Sequence, residues 1–95
     1  MNEYKYALDK TLMFRKDLKR AAKRGCNKEA LFAVIDMLQK GEPLPEKNRD
    51  HALSGNWRGH RECHISPDWL LIYRIYEDTL ILSLIRTGTH SDFDF

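Results

Sequence analysis

Hydrophobic residues recur every three or four positions in two neighbouring stretches of the first half, which predicts two amphipathic helices. The first begins near Thr11 and ends at Gly25, since glycine tolerates the left-handed backbone that closes a helix. Asn27 is placed to cap the second helix, which ends at Gly41 before Pro43. The apolar positions are Leu12, Phe14, Leu18, Ala21 and Ala22 in the first helix, and Leu31, Val34, Ile35 and Leu38 in the second.

The second half changes to a strand pattern. Residues 57–65, 69–76 and 79–87 are strand candidates with short turns between them, and residues 69–76 are rich in β-branched and aromatic side chains. Three strands joined in this way predict an antiparallel meander. Tyr4 to Leu8 alternates weakly and predicts a short first strand, and residues 41–55 form a long connection. The order predicts an α+β domain in which an αα-hairpin packs on one sheet face.

The length of 95 residues predicts one domain, residues 1–95. Unbroken apolar runs such as Trp69 to Tyr73 are far shorter than the roughly 18 residues of a membrane span. The first residues lack the apolar stretch of a signal peptide, so we expect a cytoplasmic protein. Cys26 and Cys63 are expected to be reduced, since two cysteines make no disulfide framework.

The small net charge hides an asymmetry. Residues 1–49 hold 12 Lys and Arg against 7 Asp and Glu, whereas residues 50–95 hold 4 against 7, which gives +5 and −3. Between Lys10 and Arg24, seven basic residues accompany the single acid Asp17. Such a surface attracts polyanions such as nucleic acid, although a merely solvated helix face fits the pattern equally well.

All four histidines lie in the second half, near acids and arginines. In a strand, His64 and Glu62 share one face and Cys63 faces the other way, so the two candidate zinc ligands Cys63 and His64 are separated and no metal site is predicted. No serine stands in a nucleophile elbow. Imidazoles as acid and base, with an arginine to hold phosphate, suit metal-free cleavage of RNA. Simpler roles stay open, such as an ion pair of Arg86 with Asp68 or Glu62.

Two segments together are more specific than any of these parts. They are D-H-x-L-x-G-x-W-x-G-x-R-E-C-H-I-x-P-D-W-L-L-I-Y, from Asp50 to Tyr73, and R-T-G-T-H-S-D, from Arg86 to Asp92. This pattern closely resembles the YafQ-like branch of the RelE/ParE superfamily of bacterial toxins. The resemblance implies a RelE/ParE-like fold and the toxin of a type II toxin–antitoxin system. It implies a ribosome-dependent endoribonuclease that cuts mRNA in the ribosomal A site without metal or cofactor.

The resemblance also implies site residues and partners. His51, His64, Asp68, Arg86 and His90 match the catalytic positions, with Arg86 neutralising the phosphate and the others sharing acid and base work. The implied partners are a RelB/DinJ-like antitoxin, the ribosome and mRNA, with no membrane and no stable homo-oligomer without the antitoxin. The family's usual terminal Phe is replaced here by Asp94. Further candidates for RNA contact are Lys47, Arg61, Trp69, Phe93 and Phe95.

Two alternatives remain. ParE-type relatives of the same fold act on DNA gyrase and lack the histidine set, and the Asp94 departure keeps that reading open. A non-catalytic binding module is the other alternative, in which the basic helix matters and the histidines do not.

Overall fold

The computed structural model describes residues 3–93, which build a five-stranded sheet, two long helices and a short third helix. One 3₁₀ turn, Glu46–Asn48, lies between the second long helix and the sheet, and another, Gly55–Trp57, lies between two strands of the sheet. The strands are β1 (Ala7–Lys10), β2 (His51–Ala52), β3 (Arg61–Ser66), β4 (Trp69–Tyr76) and β5 (Ile81–Gly88), and the helices are α1 (Leu12–Lys23), α2 (Lys28–Lys40) and α3 (His90–Phe93).

The predicted helical hairpin is confirmed, including its caps. The hydroxyl of Thr11 accepts a hydrogen bond from the Phe14 amide at 3.0 Å, and the Asn27 side chain accepts one from Ala30 at 3.3 Å. Gly25 and Gly41 follow the two helices with φ of 78° and 79°, in the left-handed region that favours glycine. Local capping chemistry therefore sets both ends of this hairpin.

The sheet is larger than the predicted meander. Its strand order is β1-β5-β4-β3-β2, and β3, β4 and β5 form the antiparallel meander that the sequence predicts. Strand β1 pairs parallel to β5, and the two-residue β2 pairs with β3 at the opposite edge. The α+β class is confirmed: the predicted first strand forms one edge of the sheet, and the unpredicted β2 forms the other.

Three predicted strand boundaries were wrong, each for a local reason. The amides of Lys5 and Tyr6 both donate to the Gln39 carbonyl of α2 at 3.0 Å, so pairing of β1 starts only at Ala7. The 3₁₀ turn at Gly55–Trp57 delays β3 to Arg61. Leu80 has a φ of 54°, which extends the turn before β5 to that residue.

Hydrophobic cores form on both faces of the sheet. The larger one lies under α1 and α2, where Phe14 and Leu31 pack with Cys63, Leu71 and Leu84 of the sheet. The smaller one on the other side contains Leu70, Ile72 and Phe93, with Leu53, Trp57 and Ile85 packed against it. The helices therefore cover one face, as predicted, and within residues 3–93 no helix is long and apolar enough to span a membrane.

Candidate functional site: a row of imidazoles and carboxylates

Two histidines from neighbouring strands share one carboxylate. His51 of β2 lies opposite Glu62 of β3, and its Nε2 is 3.6 Å from Glu62 Oε1. The Nε2 of His64, two residues further along β3, is 3.5 Å from the same oxygen. The Glu62 side chain is 6% exposed, so the carboxylate lies between two imidazoles and is shielded from most of the solvent.

The contact on the Nδ1 side of the His51 ring determines which ring nitrogen carries the hydrogen. Its Nδ1 is 2.7 Å from the backbone carbonyl of Arg49, which can only accept a hydrogen bond. His51 Nδ1 therefore carries a hydrogen, and Nε2, which faces Glu62, is the nitrogen that can exchange a proton. A backbone carbonyl and a carboxylate thus hold this imidazole from both sides.

His90 continues the row from the opposite end of the sheet. Its ring lies 5.6 Å from the His64 ring, centroid to centroid, and its Nδ1 is 3.2 Å from Asp68 Oδ1. Asp68 belongs to the turn between β3 and β4, whereas His90 begins α3 directly after β5. Asp68, His90, His64, Glu62 and His51 thus form a row of three imidazoles and two carboxylates, which brings together four of the five predicted catalytic residues.

The segment that carries His90 is tied to α1. Asp92 accepts a hydrogen bond from the Thr89 amide at 2.8 Å and another from Arg24 at 3.0 Å. The Arg24 guanidinium and the Thr89 amide lower the pKa of Asp92 to about 2. A charged carboxylate therefore holds the start of α3, and with it the His90 imidazole, against the rest of the fold.

Arg86, the fifth predicted residue, is bound elsewhere. Its Nε and Nη2 donate to the Asp17 carboxylate at 2.7 and 3.0 Å, and hydrogen bonding to Asp17 raises the pKa of Arg86. The alternative in which Arg86 pairs with Asp68 or Glu62 was therefore wrong. The guanidinium also lies 5.2 Å from the centroid of the Phe93 ring. Arg86 is nevertheless in cross-strand register with Glu62, since Ile72 of β4 pairs with both residues.

Two predicted RNA contacts are buried. Trp69 is 5% exposed and packs in the core under the helices, and Phe93 is 6% exposed in the smaller core. Neither ring presents an open face on which a base could stack in the unbound toxin, and contact of these two residues with RNA stays a prediction. Trp69 is buried because it packs under α1 and α2, and the guanidinium of Arg86 lies over the Phe93 ring. Phe95 and Asp94 lie outside the described residues.

The two remaining predicted RNA contacts differ in availability. Arg61 donates to both carboxylate oxygens of Asp50, at 3.4 and 3.2 Å, and Tyr73 donates a short hydrogen bond to the same carboxylate. Arg61 is therefore engaged in joining β3 to the segment before His51. Lys47 is exposed on the 3₁₀ turn at Glu46–Asn48 and stays a candidate for RNA contact.

Sequence reasoning missed Glu62 as a site residue. Its proximity to His51 depends on the pairing of β2 with β3, and the sequence predicts no strand at residues 51–52. One signal was available, because Glu62 and His64 share a strand face. A carboxylate on the same face as a candidate acid–base histidine is a reasonable partner for it.

Among residues 3–93, the site offers one set of metal-ligating atoms. Glu62, His64 and His90 each place one ligand atom within 4.8 Å of the others. Cys63 faces the opposite side, as predicted, and burial raises the pKa of its thiol to about 12. A metal at this site would therefore be held by nitrogen and oxygen atoms, and it would occupy imidazoles that metal-free chemistry needs.

These features define a class of protein: a small α+β fold that presents a surface row of imidazoles and carboxylates suited to moving protons. Residues 6–94 match the family model for the bacterial toxin of type II toxin–antitoxin systems, YafQ. The mRNA interferase toxin YafQ of Escherichia coli K12 is 39% identical over 79 residues, which cover 82% of this chain and 84% of that protein.

Solved structures agree with this match. The toxin in the E. coli DinJ–YafQ toxin–antitoxin complex superposes with a TM-score of 0.85 at 34% identity, covering 94% of this chain and 97% of that one. A metal-bound toxin from Helicobacter pylori gives a TM-score of 0.87 at 38% identity, covering 93% and 98%. The chain belongs to the YafQ family of type II toxin–antitoxin toxins.

Proposed function

We propose that this toxin is an mRNA interferase whose imidazole–carboxylate row cleaves the RNA backbone without a catalytic metal. The observation that carries the proposal is the continuous arrangement from Asp68 through His90, His64 and Glu62 to His51. The related E. coli toxin is named an mRNA interferase. The whole chain, residues 1–95, would act as one toxin domain.

The chemistry is an internal transfer of the phosphoryl group. The ribose 2′-oxygen attacks the adjacent phosphorus, its proton passes to one imidazole, and the bond from phosphorus to the 5′-oxygen breaks. A second imidazole, protonated beforehand, gives its proton to the leaving 5′-oxygen. The products are a 2′,3′-cyclic phosphate and a 5′-hydroxyl. An unperturbed histidine titrates near pH 6.5, so it can take either part at neutral pH.

The carboxylates orient these imidazoles and offer a negative partner to their protonated forms. Glu62 contacts the Nε2 atoms of both His51 and His64, so a proton taken up by either nitrogen has a negative partner beside it. Asp68 holds Nδ1 of His90 and leaves Nε2 of that ring for the substrate. We assign the proton exchange to His51, His64 and His90, with Glu62 and Asp68 as the groups that orient them.

Arg86 would stabilise charge on the phosphate from one side of this row. Asp17 holds its Nε and Nη2, and Nη1 remains as the donor for a phosphate oxygen. In β5, Arg86 lies two strands away from Glu62, roughly 10 Å between Cα atoms from ordinary strand spacing. The ion pair with Asp17 fixes the guanidinium in place, which lowers the entropy cost of using it.

The basic surface of α1 would bring the toxin to ribosomal RNA. Arg15, Lys16, Lys19, Arg20 and Lys23 are all exposed along this helix. Their attraction to closely spaced phosphates is strong at low salt and independent of sequence. The ribosome would then order the mRNA codon against the row of imidazoles and supply proximity that free RNA lacks.

The partner that restrains this activity would be a DinJ-like antitoxin, since the related E. coli toxin was crystallised with DinJ. We place the toxin in the cytoplasm, where its substrate is translated. Gyrase as a target is disfavoured by the assembled imidazole row, because a gyrase poison has no need of one. A non-catalytic binding module is disfavoured for the same reason.

The test is to map RNA ends in a reconstituted translation reaction. We expect the wild-type toxin to produce new 5′-hydroxyl ends inside translated codons and cyclic phosphates upstream, and to leave the same mRNA intact when ribosomes are omitted. New 5′-phosphate ends would contradict the proposed chemistry. An intact message accompanied by gyrase-linked DNA breaks would favour the ParE-type target, and no effect of either kind would favour the binding module.

A further inference from the structure

A cleft of about 340 Å³ opens beside His64, and His90 is not among the residues that line it. One wall is the 3₁₀ turn at Glu46–Asn48 with Arg49, and the other is the end of β3 with the turn that follows it. This volume lies within the range of small-molecule sites. The residues that line the cleft are Lys47, Asn48, Arg49, His64, Ile65, Ser66 and Pro67.

The two walls are joined at the level of His64. Asn48 is 6% exposed, and its Nδ2 donates a hydrogen bond of 2.8 Å to the His64 carbonyl. A buried side-chain amide therefore fixes the turn against β3 directly at a proposed catalytic residue. The cleft and the imidazole row are parts of one rigid arrangement.

Arg49 is held in a backbone conformation that costs free energy. Its φ and ψ are 49° and 45°, in the left-handed region that residues with a Cβ rarely adopt. Its carbonyl receives the hydrogen bond from His51 Nδ1. The same residue thus orients His51 through its backbone while its side chain lies at the cleft.

The cations of this cleft are available to a ligand. Lys47 and Arg49 are exposed, and neither has an acidic partner among residues 3–93. Arginines elsewhere near the site are engaged, as Arg61 is with Asp50 and Arg86 with Asp17. Two free positive charges beside an apolar surface formed by Ile65 and Pro67 suit a group that is anionic at one end and flat and apolar at the other.

We propose that this cleft binds the nucleotide that flanks the cleaved bond, with Lys47 and Arg49 on its phosphate and Ile65 and Pro67 against its sugar or base. This inference rests on the proposed ribonuclease function and assigns it a second subsite. His64 lines the cleft and also belongs to the imidazole row, so a strand of RNA can pass continuously from one to the other.

The test is an NMR titration of the purified toxin with a fully 2′-O-methylated adenylate trimer, which cannot be cleaved. We expect the amide signals of residues 47–49 and 65–67 to shift along with those around His64. A Lys47→Ala/Arg49→Asn variant should weaken binding at least about tenfold, because two phosphate contacts are lost. Asparagine is chosen at position 49 because it tolerates the left-handed backbone.

The matched control is Arg58→Asn, which removes an exposed arginine outside the cleft and should change the affinity less than twofold. Equal urea midpoints would confirm that all variants are folded. The dependence of affinity on salt should also fall, by roughly 0.7 in the logarithmic slope per lost phosphate contact.

Shifts confined to residues around Glu62 and His90, no shift at all, or unchanged affinity in the double variant would overturn the subsite. This outcome is separate from the failure of the ribonuclease function. A trimer that binds the cleft of a toxin which leaves translated mRNA intact would preserve the binding site and remove only the reaction.

Discussion

Arg86 and Asp17 form a two-point ion pair between β5 and α1, with donor–acceptor distances of 2.7 and 3.0 Å. Asp17 is 2% exposed and accepts a third hydrogen bond, from the Thr87 amide, at 3.1 Å. Since the carboxylate is out of solvent, its charge depends on Arg86 for compensation. The residue proposed to face the phosphate therefore also holds the basic helix on the sheet.

Arg86→Ala should consequently be a stability variant as well as an activity variant. Removing one partner of a buried ion pair leaves an uncompensated charge, so we expect the free energy of unfolding to fall by about 3 kcal/mol. Urea denaturation followed by circular dichroism measures this. The control is Arg20→Ala, since Arg20 lies 3.9 Å from the same carboxylate but is half exposed, and should cost less than about 0.5 kcal/mol.

An Arg86→Ala protein as stable as the wild type would show that the buried carboxylate is neutralised in another way. Loss of growth arrest in that variant alone does not establish a role in catalysis. The double variant Asp17→Leu/Arg86→Met removes both charges and should recover most of the stability while staying inactive, which separates the two roles of Arg86.

His90→Gln should leave the fold intact and lower the cleavage rate. The His90 side chain is 53% exposed and makes its ion pair with the 73% exposed Asp68, so little stability depends on it. Loss of an acid–base group costs at least about 100-fold in rate. Single-turnover cleavage of mRNA on stalled ribosomes measures this, and Asp68→Asn should show a smaller loss because it only orients the ring.

His60→Gln is the matched control for this series. His60 contacts the carbonyls of Trp57 and Arg58 and takes no part in the imidazole row. We expect its rate to stay within about twofold of the wild type. Equal losses in the His60 and His90 variants would argue that the row has no special part in the reaction.

Local features of the fold could be predicted from sequence, and long-range features could not. Thr11 and Asn27 cap helices through residues three positions away, so the signal is contained in a few letters. The partner of Arg86 is 69 positions distant, and the parallel pairing of β1 with β5 joins opposite ends of the chain. Such contacts depend on the assembled fold, which single-sequence periodicity does not encode.

The candidate site likewise contains residues that could be predicted from sequence and residues that could not. The residues from Asp50 to Tyr73 carry enough family pattern to predict His51, His64 and Asp68, and β-strand alternation places Glu62 beside His64. The burial of Trp69 and Phe93 was not predictable, because an aromatic residue near a site looks the same in sequence whether it faces the core or the substrate.

Zinc should inhibit the toxin by binding the imidazoles that are proposed to exchange protons. Glu62, His64 and His90 provide a carboxylate and two imidazoles within 4.8 Å of one another, and these are ordinary zinc ligands. A nitrogen bound to the metal has no lone pair for a proton, so single-turnover cleavage should decrease with added Zn²⁺ and return with a zinc-selective chelator that spares Mg²⁺.

Calorimetry with Zn²⁺ alone locates this site. We expect Glu62→Gln to weaken binding at least about tenfold, whereas His51→Gln, which alters a neighbour of Glu62 outside the three ligands, should keep the affinity within about threefold. Activity that rises with zinc, or equal affinity in both variants, would contradict an inhibitory site built from these residues.

The carboxylate of Asp92 should make the fold sensitive to acid in a defined pH range. Its pKa is about 2 in the folded protein, below the ordinary 3.8, because Arg24 and the Thr89 amide donate hydrogen bonds to the charged form. A lowered pKa means that the stabilisation is complete above pH 3.8 and is lost as the pH falls through 2. Its size is about 1 to 2 kcal/mol after allowance for partial exposure.

Urea unfolding at pH 5, 4, 3 and 2 tests this linkage. Asp92→Asn should be less stable than the wild type at pH 5, and the difference should shrink toward pH 2, where the wild-type carboxyl is also becoming neutral. Asp78→Asn, an exposed carboxylate that forms no ion pair within residues 3–93, is the control and should follow the wild-type curve. A constant gap between wild type and Asp92→Asn at every pH would show that Asp92 acts through its shape, and that its charge does not hold His90 in place.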